Sequence, residues 1–416
     1  MTATPLPSLP YGRHAIDEDD IAAVREVLCG DWLTTGPTAR RFEMALAERL
    51  QARHAVSCAS GTAALHLACR VLDLGPGDAA IVPAITFAAT ANAARLCGAD
   101  AVFADVDPET GLMEPQHLVA AIADAERRGL APRVVLPVHL GGQCADMAGI
   151  ATVARERGLA IVEDACHAIG TVECHSDGSE SPVGACTQSD MTVFSFHPVK
   201  TIAAGEGGAV TTQSDALAER LRRLRNHGIT RDETQFEDRV EAFEQAAVNP
   251  WYYEMLELGL NYRLSDINCA LALSQLRKLD RFVVIRRALA ALYDGRLAAL
   301  APEIRRIGKR PGSIPAWHLY GVLIDFEAVG LTRGQFMRDL ETRGVRSQVH
   351  YIPVPRQPYY RRCYGDVAVP GADAYYRRTL SLPLYVGMTG EDVERVAEAI
   401  EELVGRPTAL RRRRAR

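Results

Sequence analysis

The feature that most constrains this chain is an alternation. From His54 to Glu163, short apolar runs and Ala-rich helical runs succeed one another. The strand candidates are His54–Cys58, Ala80–Pro83, Ala101–Asp105, Val134–His139 and Ala160–Glu163. Their interiors are apolar almost throughout, where a strand with one wet face would alternate apolar and polar residues. Between them, Ala63–Leu72, Thr90–Cys97, Gln116–Arg128 and Met147–Arg157 carry helical spacing. Strands apolar on both faces, joined by helices, predict an α/β fold with a mostly parallel central sheet covered on both sides. Upstream, Glu18–Leu28 reads as an acidic amphipathic helix capped near Asp17. Ala39–Leu50 reads as a second, with Phe42, Leu46 and Leu50 on its apolar face.

Further along the character changes. Gln213–Glu257 is charged and reads as helical, with Trp251, Tyr252 and Tyr253 inside it; Leu271–Leu297 reads as one long helix. Pro302–Pro315 is rich in Pro, Gly and basic residues, a boundary signal. Beyond it, Leu319–Ile324, Phe336–Arg343, Val345–Tyr351 and Glu391–Val404 read as a smaller α+β unit. The 416 residues suit two or three units, or one large domain with a satellite.

Charge and cysteine usage exclude several classes. The chain has 47 Lys+Arg against 52 Asp+Glu, but five arginines fall in Arg411–Arg416. Without them the body holds 42 cations against 52 anions, so no basic stripe for nucleic acid is expected. The arginine run reads as a disordered basic tail. No apolar stretch is long enough to span a membrane, and Met1–Pro10 lacks the basic start and apolar run of a secretion signal. Ten cysteines occur without a C-x-x-C pair, so no zinc or dithiol motif is read, and free thiols in a reducing cytoplasm are expected.

Several segments point to chemistry. Gly75-Pro-Gly77-Asp-Ala-Ala80 fits a dinucleotide fingerprint in letters only, because a helix precedes it and a strand follows, the reverse of the required order. Ser60-Gly-Thr-Ala-Ala64 lies between a strand and a helix, where free backbone N–H groups can hold a phosphate. Glu163-Asp164 ends an apolar strand at its carboxyl edge, where ligands bind in open α/β sheets. A carboxylate there can hold a protonated ring nitrogen. Lys200 follows the apolar run Val193–Phe196 amid small residues, and a desolvated lysine is a nucleophile for carbonyl carbons. A phosphate cradle, an acid for a ring nitrogen and such a lysine together are the equipment for pyridoxal 5'-phosphate, PLP.

At this point the sequence resembles the DegT/DnrJ/EryC1/StrS sugar aminotransferases, PLP enzymes of fold type I. The resemblance runs from Tyr11 to Val404 and is carried by Ser60–His66, Glu163–Gly170, Ser195–Gly208 and Asn261–Ile267. Within the family it is most similar to the branch of pseudaminic acid biosynthesis. That likeness is carried by Asp31–Pro37, Thr192–Lys200, Pro250–Gly259, His318–Tyr320 and Val349–Pro353. The resemblance implies a UDP-linked 4-keto sugar as substrate, glutamate as amino donor and UDP-4-amino-4,6-dideoxy-N-acetyl-β-L-altrosamine as product. Other nucleotide 4-keto sugars, of the 4-amino-arabinose, bacillosamine or legionaminic type, are the alternative. The family also holds sugar dehydratases, in which His replaces the lysine, and a non-catalytic regulator would be expected to lose Lys200 or Asp164; both residues are present.

By position, the resemblance makes Lys200 the lysine that binds PLP covalently and later shuttles the proton. Asp164 becomes the partner of the pyridine nitrogen, Phe87 the aromatic stacked on the ring, and Gly61, Thr62 and Ser195 the phosphate cradle. His167 is expected near the cofactor's phenolic oxygen. Asn261 is expected to reach a neighbouring subunit's site, which implies a homodimer with shared active sites. Substrate contacts are expected at Tyr11, at Asp31, Trp32, Leu33 and Thr34, and at His350, Tyr351, Ile352 and Pro353, with Gly61, Ser195 and Asn261 also within reach. Arg263 is expected to supply positive charge at the site. The implied division is an N-terminal arm and helix (1–30), a large PLP domain (31–280), a small C-terminal domain (281–405) and the tail (406–416). Cys166 stands where Ala or Ser is usual, which puts a thiol against the ring. The Glu173–Pro182 loop is longer than the usual turn.

Overall fold

The computed structural model describes residues 8–405, so the basic tail read at 406–416 lies outside the described residues. The alternation resolves into β1 (His54–Cys58), β2 (Asp78–Pro83), β3 (Asp100–Ala104), β4 (Ala131–Val135) and β5 (Ala160–Asp164). A hairpin, β6 (Val172–Cys174) and β7 (Glu180–Pro182), and two further strands, β8 (Met191–Ser195) and β9 (Gly208–Thr212), follow. All but the hairpin form one seven-stranded sheet in the order β1-β9-β8-β5-β4-β2-β3. From β8 to β3 every neighbouring pair is parallel. β9 is antiparallel to both β8 and β1. Six strands therefore end, and β9 begins, on a single edge of the sheet.

Both faces are covered, which is why the strands read as unbroken apolar runs. Helices α1 (Glu18–Leu28), α2 (Pro37–Arg49), α3 (Gly61–Val71) and α4 (Ala88–Leu96) come first, then α5 (Pro115–Arg127), α6 (Met147–Glu156) and α7 (Asp215–Arg225). α3, α4 and α7 bury Val82, Val162 and Val193 on one face. α5 and α6 bury Ile81, Val102 and Ile161 on the other. On that second side of β8, Phe194 packs with Phe42 of α2 and with Phe196. Neighbours such as Ile81 and Val82 enter opposite cores because successive strand residues point to opposite faces.

Two expectations need correction. Only part of Gln213–Glu257 is helical: α7 and a single turn, α8 (Arg239–Ala242). α7 ends where His227 and Gly228 take φ of 60° and 72°, the left-handed region that a helix cannot continue through. A Cβ on Gly228 would come within 1.7 Å of the Glu257 carbonyl, so only glycine fits. The chain returns as Glu254–Met255, paired with Ile229–Thr230. The long helix read at Leu271–Leu297 is in fact two, α9 (Asp266–Arg277) and α10 (Leu279–Leu297), which meet at Lys278. Lys278 instead reaches back to Asp17 and Asp20, tying the start of α1 to this junction.

The Pro302–Pro315 segment is less of a gap than its composition suggests. Ile304–Arg306 joins Tyr320–Ile324 and Thr379–Leu382 in an antiparallel three-stranded sheet, and Ser313–Ile314 adds a third strand to the β6–β7 hairpin. Helix Gly390–Val404 packs on the three-stranded sheet through Val393, Val396 and Ile400. Leu9 belongs to the same core. Its N–H donates to Gly344 O at 2.8 Å, and Arg346 N–H donates to Leu9 O at 2.9 Å.

Candidate active site

The carboxyl edge of the sheet opens into a cavity of about 510 Å³. Strand ends bring the motifs together there although they are far apart in sequence. β1 leads through Ser60 into the N-terminus of α3. Ser60 caps that helix, its hydroxyl accepting from Ala63 N–H at 3.1 Å. Gly61 opens α3 where no side chain fits: a Cβ would lie 2.8 Å from Ser195 Cβ and 3.3 Å from Cys166 Sγ. Gly208, at the start of β9, backs onto the same turn, since a Cβ there would meet Ser60 O at 2.3 Å. The result is a narrow cradle of free N–H groups beside the Ser195 hydroxyl.

β5 ends on Glu163 and Asp164, and strand alternation separates the pair. Glu163 turns away from the cavity to His139, whose Nε2 lies 2.7 Å from Glu163 Oε2, and accepts from Thr192 and Ser189. Burial would raise Glu163, but these bonds hold it below its ordinary value. Asp164 faces the cavity and is only 5 % exposed. Thr90 Oγ1 donates to Asp164 Oδ2 at 2.7 Å, with Thr86 Oγ1 2.7 Å from Thr90 Oγ1, and Cys166 N–H donates to Asp164 Oδ1 at 3.2 Å. This fixes one rotamer of the carboxylate.

Lys200 sits in the turn after β8, where its N–H donates to His197 O at 2.8 Å. Its side chain lines the cavity and pairs with no carboxylate among the described residues. Burial lowers Lys200 below the ordinary lysine range, a shift opposed by Cys166 and Asp164. More of the amine is therefore neutral, the form that can act as nucleophile or base. Cys166 goes the other way: burial, then Asp164, keeps its thiol protonated.

Three buried histidines close the cavity on the other side. His167 accepts from Gly141 N–H through Nδ1 at 3.3 Å, so Nε2 carries the proton and donates to Tyr351 OH at 3.1 Å. Burial first, then Lys200 and His350, holds His167 well below its ordinary value. His350 is lowered to about 3 for the same reasons, burial ahead of Lys200. Its Nδ1 lies 2.9 Å from Ser381 Oγ, and the Tyr11 ring is tilted against it with centroids 5.5 Å apart. The His318 ring is tilted against His167, with centroids 4.5 Å apart.

With this geometry in hand, the sequence matches the DegT/DnrJ/EryC1/StrS aminotransferase family across residues 14–401. The chain belongs to that family. It is 36 % identical over 404 residues to the spore coat polysaccharide biosynthesis protein SpsC of Bacillus subtilis, covering 95 % of this chain and 97 % of SpsC. The fold superposes on Helicobacter pylori PseC, an aminotransferase involved in the biosynthesis of pseudaminic acid. That match has a TM-score of 0.84 and 26 % identity, covering 96 % of this chain and 99 % of PseC. The PLP form of the sugar aminotransferase Spr1654 from Streptococcus pneumoniae matches with a TM-score of 0.83 and 26 % identity, covering 96 % and 99 % of the two chains. The fold is therefore that of the PLP-dependent sugar aminotransferases, and the chain is an enzyme of that class.

Of the residues singled out in the sequence, Tyr11, Gly61, Thr62, Phe87, Asp164, His167, Ser195, Lys200, His350, Tyr351 and Ile352 line the cavity, and so does Cys166. Pro353 is buried just behind it. Asp31, Trp32, Leu33 and Thr34 lie on the surface, in a loop pinned by Asp266, which accepts from Gly36 and Thr38 N–H at 2.8 Å. Asn261 is exposed, in a bridge with Asn226. Arg263 does not line the cavity: it donates to Asn226 Oδ1 at 2.6 Å, and no arginine lines the cavity among the described residues. Residues 173–182 form the β6–β7 hairpin and do not line the cavity either. Thr90 and His318 were missed as site residues. Thr86 and Thr90, four apart at a helix start, were the visible signal for the first.

Proposed function

We propose that this enzyme transfers the amino group of glutamate to the C4 ketone of a UDP-linked 4-keto-6-deoxy-N-acetylhexosamine. The product would be UDP-4-amino-4,6-dideoxy-N-acetyl-β-L-altrosamine, for pseudaminic acid biosynthesis. The observation that carries the chemistry is the placement of Lys200 and the Thr90-bound Asp164 on the walls of one cavity at the carboxyl edge. The likeness to PseC over nearly the whole length of both chains supports the substrate.

The cofactor is PLP, and the residues fit it. The Gly61 cradle would take its phosphate, Asp164 its ring nitrogen, and Phe87, 61 % exposed at the cavity mouth, one face of its ring. When bound, PLP supplies an electron sink for the carbanion at the reacting carbon. Lys200 would hold the cofactor, and its amine, once released, would take the proton from Cα of the donor and deliver one to C4 of the sugar. Asp164, held by Thr90, would present its carboxyl group to the ring nitrogen. Tyr351, which accepts from His167, has its own hydroxyl proton free to donate into the cavity.

The reading includes a homodimer with shared sites, large and small domains at 31–280 and 281–405, and a cytoplasmic location. The cavity's own lining has no arginine for a dianionic phosphate and a nucleotide diphosphate. In this reading Asn261 and the exposed Asp31–Thr34 loop would serve the neighbouring subunit's cavity. SpsC favours a second reading, in which the acceptor is another nucleotide 4-keto sugar used for a polysaccharide. Mass spectrometry of products from a panel of nucleotide 4-keto sugars with glutamate separates the two. Amination of only a non-UDP sugar would overturn the first reading and leave the aminotransferase class standing.

A further inference from the structure

A buried cation that the mechanism does not use lies behind the histidine wall. Arg286, on α10, is 1 % exposed and has no carboxylate partner among the described residues. Its Nη1 donates to three backbone carbonyls: Leu384 at 3.0 Å, His318 at 3.3 Å and Trp317 at 3.4 Å. Its Nε has no partner among the described residues. A buried charge without a counter-ion is costly, and a hydrophobic side chain of similar volume would avoid that cost. Burial lowers Arg286 to about 10, so it remains charged near neutrality.

What the guanidinium holds is informative. His318 and Tyr11 are cavity-lining residues. Leu384, whose carbonyl Arg286 binds, donates its own N–H to Tyr11 O at 3.1 Å. One side chain thus joins the backbones that carry His318 and Tyr11. The His318 ring lies against His167, and its Nδ1 is buried without a hydrogen-bond partner among the described residues. A charged imidazole has two N–H donors, so a protonated His318 would bury one of them unsatisfied.

We propose that Arg286 is a positioning residue for the reaction, fixing His318 through its carbonyl and using its own charge to keep that ring in the neutral form that packs on His167. The groups that act on His318 are His167 from the loop after β5, Lys200 from the loop after β8, His350 from the C-terminal unit and Arg286 from α10. None is a carboxylate. After burial, each of the four disfavours the charged ring. A neutral His318 sets no charge against the His167 ring, whose donation to Tyr351 is fixed by the Gly141 N–H. A charged one would set a cation against that ring and against Lys200. The inference rests on reading this cavity as the active site, but its first test does not.

Histidine-selective ¹⁵N NMR of the holoenzyme, with His318→Gln to assign the signal, reads the ionisation of His318 directly. In Arg286→Met, His318 is expected to gain its proton at a pH higher by about one unit, a tenfold change in the proton equilibrium. An unchanged titration point overturns the proposal. In kinetics, the acid limb of kcat/KM for glutamate should move up by the same amount in Arg286→Met. It should stay in place in Arg286→Lys, which keeps the charge and loses the fork, while kcat/KM falls at every pH. In the His318→Gln background Arg286→Met should shift nothing further. If Arg286→Met does not fold, Arg286→Lys decides: a wild-type kcat/KM across the range refutes the positioning role. A normal NMR shift with a null kinetic result would count against the cavity as the active site rather than against the Arg286–His318 coupling.

Discussion

Gly61→Ala adds a single carbon at the tightest point of the phosphate cradle. That carbon would stand 2.8 Å from Ser195 Cβ and 3.1 Å from Ser195 Oγ. Carbon pairs ordinarily rest at about 3.5–4.0 Å, so the overlap is roughly 0.7–1.2 Å. α3 cannot simply slide away, because Gly208 closes the other side of the turn. Overpacking of this kind costs about 1–3 kcal/mol, and the helical gain of Ala over Gly returns at most about 1 kcal/mol. A net loss of about 1–2 kcal/mol should lower Tm by a few degrees. If one N–H is pushed off the phosphate, losing a hydrogen bond to a charged group worth about 1.5–3 kcal/mol weakens cofactor binding at least about tenfold. Scanning calorimetry and a fluorescence titration with the cofactor measure the two quantities separately. Ser195→Gly in the same chain removes the opposing carbon and should restore most of the Tm. Wild-type Tm and affinity in Gly61→Ala, or no recovery in the double variant, would refute the steric argument.

Other substitutions probe the remaining walls. Lys200→Ala should abolish turnover and the visible absorbance of covalently held cofactor; survival of both would show the lysine assignment to be wrong. Thr90→Val keeps the shape and removes the donor to buried Asp164; a hydrogen bond to a charged group carries about 1.5–3 kcal/mol, so calorimetry should show a lower Tm and a cofactor titration a weaker affinity, and no change in either would refute the role given to Thr90. His350 titrates near 3 in the fold and near 6.5 in an unfolded chain, so the unfolded state binds the extra proton. Its contribution is fully present above about pH 6.5 and is lost as pH falls toward 3, by about 1.4 kcal/mol per unit. His350→Gln should flatten the urea-measured stability profile between pH 6 and 4, and an unaltered slope would assign the acid sensitivity elsewhere.

The parts of the fold that could be read from sequence were those set by local pattern. β1 and α1 fall at the residues read for them, and the remaining paired runs shift by a few positions, because two-sided burial writes itself into every residue of a strand. β4 ends at Val135 and not at His139, since Pro137 has no N–H to give a ladder and Gly141 and Gly142 then turn the chain. The region after α7 misled for the opposite reason: its charge spacing suits a helix, but Gly228 meets the Glu257 carbonyl across nearly thirty residues, and no local pattern encodes that contact. The same limit governs the site. Lys200, Asp164 and Gly61 sit in motifs and were visible. Glu163 and Asp164 were read as a pair, and only strand alternation shows that one serves His139 and the other the cavity. His318 and Arg286 depend on contacts between segments far apart in the chain, so neither could be found from spacing.

The pairing of Leu9 with Val345 sets a schedule for biosynthesis. A ribosome adding about 5–20 residues per second finishes the 335 residues between them in roughly 20–70 s. During that interval the nascent chain can complete the seven-stranded sheet, whose last strand ends at Thr212. Yet Leu9 still has no core to enter, and Tyr11 has no His350 to pack against. Residues made well before Val345 are thus placed only after it, and a cavity wall stays open until the C-terminal unit has emerged. Closing so long a loop adds little entropy beyond a shorter one, because the penalty grows only with the logarithm of length. The delay is therefore one of supply, and a chain released before Val345 would carry a finished sheet beneath an unfinished site.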